Sequence, residues 1–408
     1  MTKIEINNQK IQALLARNVV EVITAPELEN KLKQGKKLRI KLGADPSRPD
    51  LHLGHAVALR KLREFQDLGH QVVFIIGDYT GMIGDPSGKS KTRPQLSESE
   101  VKKNAKSYLA QVGKVLDVKK AEIRFNSEWF AKMKFAEVIK LTSQFTAARV
   151  LERDDFTKRW KAGIDIGLHE LLYPTMQAYD SVMVKADVEM GGTDQVFNML
   201  AGRMLQKRLG QAAQVVMTVP LLIGLEGKEK MSKSLDNYVG LTDLPEEMYG
   251  KIMSIADGLI LPYFEYCTTL PLTEIAIIKQ DLAAGQNPKV KKMFLAYKIV
   301  ELYYNTNKAI AAEEYFRSVH EKKEIPQAMT VVTLTKKDLG KDREINIIKL
   351  LALTKLAKSN SEAKRLLDQG GIKDGETVVK DYEAKVVIKE NGTIIQRGKR
   401  QFVRVICK

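Results

Sequence analysis

A chain of 408 residues, 44% of them hydrophobic and 28% charged, is long enough for about two or three globular domains and excludes a disordered protein. No apolar run reaches the roughly 18 residues of a membrane helix and the amino terminus has no apolar signal core, so we expect a cytoplasmic protein without membrane spans. Two cysteines exclude a disulfide framework. The net charge of +16 favours a polyanionic partner such as RNA, although membrane-surface attraction or solubility alone would account for it too.

The first buried strand is predicted just before a turn with polar residues. Residues 4–33 have a helical pattern, with Pro26 at the start of a second helix. The apolar run 38–42 predicts the strand, and Asp45 and Ser47 follow it. Ligands of open α/β sheets bind beyond the carboxyl ends of strands, so both side chains are placed to meet a substrate, although ordinary turn chemistry explains them equally well.

Two histidines open the next helix. The segment DLHLGH precedes a helical pattern over 56–68, and Asp50 is predicted to cap this helix. His52 and His55 are three residues apart, so both imidazoles share one face and can reach one phosphate, while Gly54 lets a flat ligand approach the backbone. Incidental surface histidines or a zinc pair are the alternatives, but zinc needs three or four ligands and the chain has few histidines and cysteines.

A glycine-rich segment, 77–90, follows the predicted strand 72–76. It ends in Gly-Lys-Ser, but a P-loop needs a glycine where Ile83 stands, so we interpret the segment as a wall that lets backbone approach a ligand. Asp85 offers a carboxylate to an ammonium group. Residues 91–120 are polar and lysine-rich and are predicted to be exposed helix and loop.

Residues 129–160 are predicted to be a helical insertion between the two halves of the sheet. The helix that follows places Tyr173, Gln177 and Asp180 at positions i, i+4 and i+7, which form one stripe. A phenol, an amide and a carboxylate are costly to bury without partners, so a binding face or a polar surface face is expected there.

A strand over 186–190 leads into Gly-Gly-Thr-Asp-Gln, and Asp194 is placed to hydrogen-bond ribose hydroxyls. A further strand, 215–222, delivers the chain to Lys230-Met231-Ser232-Lys233-Ser234. Two lysines three residues apart suit a clamp on phosphates, although a solvated loop would have the same composition. Strands alternating with helices predict a parallel, doubly wound sheet.

The remaining chain changes character. Residues 237–325 are predicted to form a helical domain, 326–343 a linker, and 344–408 a small α+β domain. Residues 341–408 contain 16 Lys and Arg against 9 Asp and Glu. The pattern SEAKRLL…GGIKDGETV in this last part resembles the S4-type RNA-binding fold, although a solvated basic tail is the alternative.

The HxGH segment after a strand, combined with KMSKS farther along, resembles the class I aminoacyl-tRNA synthetases. The intervening residues resemble the bacterial-type tyrosyl-tRNA synthetases that carry an S4-like domain. The resemblance implies a Rossmann-like catalytic domain over 1–236 that activates L-tyrosine with ATP to tyrosyl-adenylate and transfers it to tRNA(Tyr). It further implies Mg²⁺ with the ATP phosphates, a homodimer with its interface around 129–160, and no editing domain.

The resemblance also assigns residues. It implies that the catalytic residues are His52, His55, Lys230 and Lys233. It implies that ATP is bound by Ser47, Gly54, Asp194, Met231 and Ser232, and that tyrosine is bound by Asp45, Asp85, Tyr173, Gln177, Asp180 and Gln195. No protein ligand to a metal is expected. Ser47 stands where the family has a threonine that touches the γ-phosphate.

Lys41 departs from many bacterial members, which carry a tyrosine there that helps to read the substrate hydroxyl. We expect Lys41 to form a salt bridge and to point away from the pocket, and the alternative is a carboxylate partner inside the pocket. A tryptophanyl enzyme and a non-catalytic RNA-binding paralogue are the rival functions.

Overall fold

The chain divides into two units, Met1–Asn305 and Thr306–Lys408. The computed structural model describes residue 4 and residues 8–47, 50–85, 97–320, 329–335, 338–398 and 401–407. The Gly-Lys-Ser at 88–90 and part of the predicted linker lie outside these residues. None of the described helices is long and apolar enough to cross a membrane.

A six-stranded sheet is the centre of the first unit. Its strands are β1 Glu21–Ile23, β2 Arg39–Ala44, β3 Gln71–Ile76, β4 Glu122–Phe125, β5 Val188–Gly192 and β6 Val215–Val219, in the order β1-β6-β5-β2-β3-β4. All neighbours run parallel except β1, which pairs antiparallel with β6. Strand β6 is buried along its whole length, as expected for a parallel strand covered on both faces. The predicted parallel α/β sheet is confirmed.

Helices connect and cover these strands. They are α1 Asn8–Ala16, α2 Ala25–Lys33, α3 Leu53–Asp67, α4 Thr80–Ile83, α5 Glu98–Val112, α6 Ser127–Phe130, α7 Phe135–Thr142, α8 Ala147–Leu151, α9 Asp154–Lys161, α10 Leu168–Met183 and α11 Val196–Arg208. Side chains of α10 and α11 pack with β3 in one apolar cluster that includes Val73, Met176 and Leu205. Strands β1 and β4 were not predicted, because three and four residues are too short to show a period.

A helical segment ends the first unit. It comprises α12 Pro245–Met253, α13 Ile260–Cys267, α14 Leu272–Ala283 and α15 Pro288–Tyr303. Pro245 and Pro288 lie in the first turns of α12 and α15, where a missing backbone N–H costs nothing. Helices α12, α14 and α15 overlap the ranges 248–255, 275–282 and 290–304, where the sequence pattern predicts helices. Helix α13 was not predicted, although Tyr263 and Phe264 are fully buried in it.

The second unit combines short helices with a five-stranded sheet. Its elements are α16 Thr306–His320, β7 Thr330–Leu334, β8 Glu344–Asn346, α17 Ile347–Leu353, α18 Asn360–Asp368, β9 Ile372–Asp374, β10 Thr377–Val378, β11 Lys385–Val387, β12 Thr393–Arg397 and β13 Gln401–Cys407. The sheet order is β10-β9-β12-β13-β7, and β8 pairs with β11. An apolar core that includes Leu350, Leu367 and Val405 joins the helices to the strands. The predicted small α+β domain is confirmed.

Two predictions in this region are corrected. Residues 330–334, part of the predicted linker, form β7, which pairs parallel with β13. Four consecutive β-branched residues suit a strand here, and the polar residues around them concealed it. The sequence pattern predicts a helix over 345–358, but the helix begins at Ile347, since Asn346 accepts hydrogen bonds from the backbone N–H groups of Ile348 and Lys349 and so caps it.

Candidate active site

One cavity of about 660 Å³ lies where β2, β5 and β6 end and α3 begins. Every residue predicted for the site lines it: Asp45, Ser47, His52, Gly54, His55, Asp85, Tyr173, Gln177, Asp180, Asp194, Gln195, Lys230, Met231, Ser232 and Lys233. The sheet topology explains why, because parallel strands that end at one edge bring their following turns together. Their individual roles stay predictions.

The histidine pair begins α3. His52, not Asp50, is the N-cap residue, because its backbone is extended (φ −132°) and the helix starts at Leu53. Residues on either side of His52 are held by the chain that follows the lysine loop: Leu53 N–H donates to Val239, and Leu241 N–H donates to Leu51. The two imidazole centroids are 3.9 Å apart.

Both imidazoles are neutral at neutral pH. Burial, together with the positive charge of Lys233, lowers the pKa of His55 to about 3, and burial lowers the pKa of His52 well below its usual value. The buried Nδ1 of His52 has no hydrogen-bond partner among the described residues. A Cβ on Gly54 would lie 3.0 Å from that ring, so glycine permits the close packing here.

The lysine loop carries its charges to the same cavity. Lys230 Nζ lies 2.6 Å from Asp194 Oδ2, so the clamp residue and the predicted ribose ligand form an ion pair in this structure. Buried Asn237 accepts from Ser232 N–H at 2.7 Å and donates to the carbonyl of Lys230 at 3.4 Å. Asn237 thus shapes the lysine loop, and this role of Asn237 was not predicted from the sequence.

The polar stripe of α10 faces the cavity, so the surface alternative is wrong. Tyr173 OH donates to Asp45 Oδ2 at 2.9 Å, and Thr80 Oγ1 donates to Asp45 Oδ1 at 2.8 Å. Gly77 is required beside them, because a Cβ there would lie 2.0 Å from Asp45 Oδ1. Asp45 therefore joins the stripe to the turn after β2.

Asp180 is a buried carboxylate, 5% exposed. It accepts from Trp129 Nε1 at 2.9 Å and from Asn126 Nδ2 at 3.4 Å. Burial raises the pKa of Asp180 to about 7, although Lys41 and the two hydrogen bonds act in the opposite direction. The carboxyl group therefore titrates in the neutral range.

A second chain of hydrogen bonds crosses the cavity wall. Asn198 Nδ2 donates to Gln177 Oε1 at 3.0 Å and to Gln195 Oε1 at 3.1 Å. Gln195 Nε2 in turn donates to Asp85 Oδ2 at 2.9 Å. Asn198 thus orients both amides that were predicted to contact tyrosine.

Lys41 forms a salt bridge, as expected, but inside the protein. Its Nζ lies 2.8 Å from Glu189 Oε1, and both side chains are at most 2% exposed. The two residues are direct neighbours in the register of β2 and β5. Neither Lys41 nor Glu189 lines the cavity, so the expected salt bridge lies in the interior beside the pocket, where the opposite charge on the adjacent strand holds Lys41.

Sequence reasoning missed several polar residues around the cavity: Thr80, Asn126, Trp129, Glu189 and Asn198. A signal existed for two of them. Asn198 lies three residues after Gln195, on the same helix face, and Glu189 is a charge in an apolar strand, like Lys41. Asn126 and Trp129 follow a four-residue strand, and no spacing connects them with Asp180.

Comparisons with known proteins show which family this chain is similar to. The family model for class I tRNA synthetases (W and Y) matches residues 32–321. The chain is 51% identical to the tyrosine–tRNA ligase of Thermotoga maritima over 96% of both chains, and 49% identical to that of Moorella thermoacetica over 96% of this chain and 94% of the relative. The crystal structure of Archaeoglobus fulgidus tyrosyl-tRNA synthetase complexed with L-tyrosine is 25% identical, with a TM-score of 0.62, and covers 74% of this chain and 99% of its own.

Proposed function

The chain belongs to the bacterial tyrosyl-tRNA synthetases of class I, and from this premise we propose how its residues share the reaction. As a tyrosine–tRNA ligase it uses ATP to attach tyrosine to tRNA. The observation that carries the proposal is that one cavity is lined by the histidine pair, the lysine loop and the buried carboxylate of Asp180.

Tyrosine is recognised at both ends. Asp180 accepts the phenolic hydroxyl, Asp85, Tyr173 and Gln177 bind the ammonium group, and Gln195 lies close to the carboxylate. In support, Asp180 is buried and already accepts two hydrogen bonds, so its orientation is set before the substrate arrives. Phenylalanine would leave this buried carboxylate without the hydrogen bond from the substrate hydroxyl, and preference for tyrosine over phenylalanine is the established example of that rule.

ATP occupies the other half of the cavity, with ribose at Asp194, adenine over Gly54 and the γ-phosphate near Ser47. Met231 and Ser232 line the nucleotide from the loop. The tyrosine carboxylate attacks the α-phosphorus, the bond to the bridging oxygen breaks, and pyrophosphate leaves with the electron pair. We assign His52 and His55 to the α-phosphate, where neutral imidazoles donate hydrogen bonds, and Lys230 and Lys233 to the developing charge on pyrophosphate.

Mg²⁺ enters with ATP in this proposal. No group of three or more His, Cys, Asp or Glu side chains able to hold a metal occurs within the described parts of the chain. Mg²⁺ prefers phosphate oxygens and water over cages built entirely from protein, so the ATP phosphates themselves supply its ligands.

The small α+β domain over 344–408 binds RNA. Helix α18 turns Ala363 and Leu367 inward and exposes Lys364 and Arg365, and Lys358 is exposed just before it. Such a face suits contacts to the phosphate backbone, which position tRNA(Tyr) without reading its sequence. We further propose that 237–325 is an anticodon-region domain. The 3′ end of the tRNA then reacts with tyrosyl-adenylate and releases AMP.

The enzyme acts in the cytoplasm as a homodimer. The insertion exposes large apolar side chains, with Phe135 78% and Trp160 71% exposed, alongside Ile139. A monomer rarely exposes such residues in one segment without a partner, so we place the dimer interface around 129–160.

ATP–pyrophosphate exchange on the purified protein, run separately with tyrosine, phenylalanine and tryptophan, tests the proposal. We expect exchange with tyrosine alone. Exchange with tryptophan would contradict the assignment of the α10 stripe and leave the ATP site intact. Absence of exchange with all three amino acids would favour a non-catalytic RNA-binding protein.

A further inference from the structure

The buried ion pair between Lys41 and Glu189 is fully hydrogen-bonded. Lys41 Nζ donates to Glu189 Oε1 at 2.8 Å, to Ser181 Oγ at 2.7 Å and to the carbonyl oxygen of Gln177 at 3.0 Å, so each ammonium proton has an acceptor. Glu189 also accepts from Ser181 Oγ and from the Gln214 amide through its other oxygen. A buried pair needs such partners to offset the cost of desolvating two charges.

This pair is in direct contact with a residue that lines the cavity. Gln177 Nε2 donates to Glu189 Oε1 at 3.1 Å, while Gln177 Oε1 accepts from Asn198. An amide has one donor end and one acceptor end, so the ionised Glu189 determines which end of Gln177 points toward the sheet. The pair therefore controls how Gln177 meets a ligand.

The pair also faces the helix turn that carries Asp180. Lys41 contacts Gln177, three residues before Asp180 on α10, and Ser181, directly after it. The charged groups that act on Asp180 from the sheet are Lys41 on β2 and Glu189 on β5, and they have opposite effects on it. Trp129 and Asn126 approach it from the other side as neutral donors.

We propose that Lys41 and Glu189 form a positioning unit for tyrosine, which fixes the orientation of Gln177 and sets a balanced pair of charges against the turn that carries Asp180. This inference rests on the proposed function, because it needs tyrosine to bind at Gln177 and Asp180. Neither residue touches the substrate in it. The buried pair thus contributes to specificity through the two residues that do.

The test measures ATP–pyrophosphate exchange in Glu189→Gln and Lys41→Met. We expect the KM for tyrosine to rise about 10- to 100-fold in each, since a misplacement of about 1 Å has effects of this size, while the KM for ATP stays within about twofold. The acid limb of the pH profile of kcat/KM for tyrosine should move in opposite directions in the two variants. Removing the cation favours neutral Asp180 and moves the limb to higher pH, whereas removing the anion moves it to lower pH.

Two controls separate positioning from stability. Lys61→Met removes another fully buried lysine, which donates to Leu14 and Glu64 outside the cavity, and should leave the KM for tyrosine unchanged. The double variant Lys41→Met/Glu189→Gln removes both charges, so it should recover thermal stability relative to either single variant and keep the raised KM.

The outcomes distinguish this inference from the proposed function. If the unmodified enzyme shows no exchange with tyrosine, the proposed function itself fails. If the unmodified enzyme does show exchange with tyrosine, and the folded variants keep its KM for tyrosine and its rejection of phenylalanine, the pair is only structural and the inference is overturned. Shifts of the pH limb in the same direction would overturn it as well.

Discussion

Replacing Asp180 by asparagine should erode the selection of tyrosine over phenylalanine. A hydrogen bond to a charged group contributes about 1.5–3 kcal/mol and one between neutral groups about 0.5–1.5 kcal/mol, so the substitution weakens the contact to the hydroxyl by about 1–2 kcal/mol. That difference corresponds to about a 5- to 30-fold loss in kcat/KM for tyrosine. Phenylalanine has no hydroxyl, so it loses no hydrogen bond in the variant. Its ring would also no longer lie beside a buried carboxylate that lacks the hydrogen bond from a substrate hydroxyl.

The assay is ATP–pyrophosphate exchange at pH 8, where the carboxylate of the unmodified enzyme is ionised, with the ratio of kcat/KM for the two amino acids as readout. Asp187→Asn is a matched control, because Asp187 accepts from Arg39 N–H at the opposite ends of the strands and does not line the cavity. If Asp180→Asn preserves the ratio within about twofold, Asp180 does not read the hydroxyl.

Three further predictions concern pH, the loop and assembly. Because burial raises the pKa of Asp180 to about 7 and the ionised form is the better acceptor, kcat/KM for tyrosine should rise between pH 6 and 8, and a flat profile would contradict this. Lys230→Met should lower kcat for exchange by about 100-fold. Lys228 is an exposed lysine of the same segment, so Lys228→Met should have little effect. Equal effects of the two substitutions would show that the lysine loop does not act in the mechanism. Trp160→Glu should convert the dimer to a monomer in sedimentation analysis, and an unchanged mass would place the interface elsewhere.

The parallel sheet and the site could be predicted together because they depend on the same pattern. Each polar turn after an apolar strand, such as that of Asp45 or Asp194, must lie at the edge where parallel strands end. The two motifs at His52 and Lys230 could then be assigned to one cavity without knowing any distance. What remained open was how these side chains are held.

The supporting residues were harder to predict because their partners are distant in the chain. Asn126 reaches Asp180 through the packing of α6 beside α10, and no periodicity encodes that contact. Lys41 was placed on the correct strand, yet its direction depended on which strand lies beside β2. Only the register with β5 reveals that Glu189 is its neighbour.

With the proposed roles of Asp194 and Lys230, their ion pair makes nucleotide binding an exchange of partners. A ligand with only a ribose must take Asp194 from Lys230 and offers the lysine nothing in return, and free pyrophosphate does the reverse. An intact nucleotide such as ATP supplies a ribose hydroxyl for the carboxylate and phosphates for the ammonium at once. The site can therefore favour the intact nucleotide over its fragments without any residue reserved for that purpose, and after pyrophosphate and AMP have left, the two side chains can pair again.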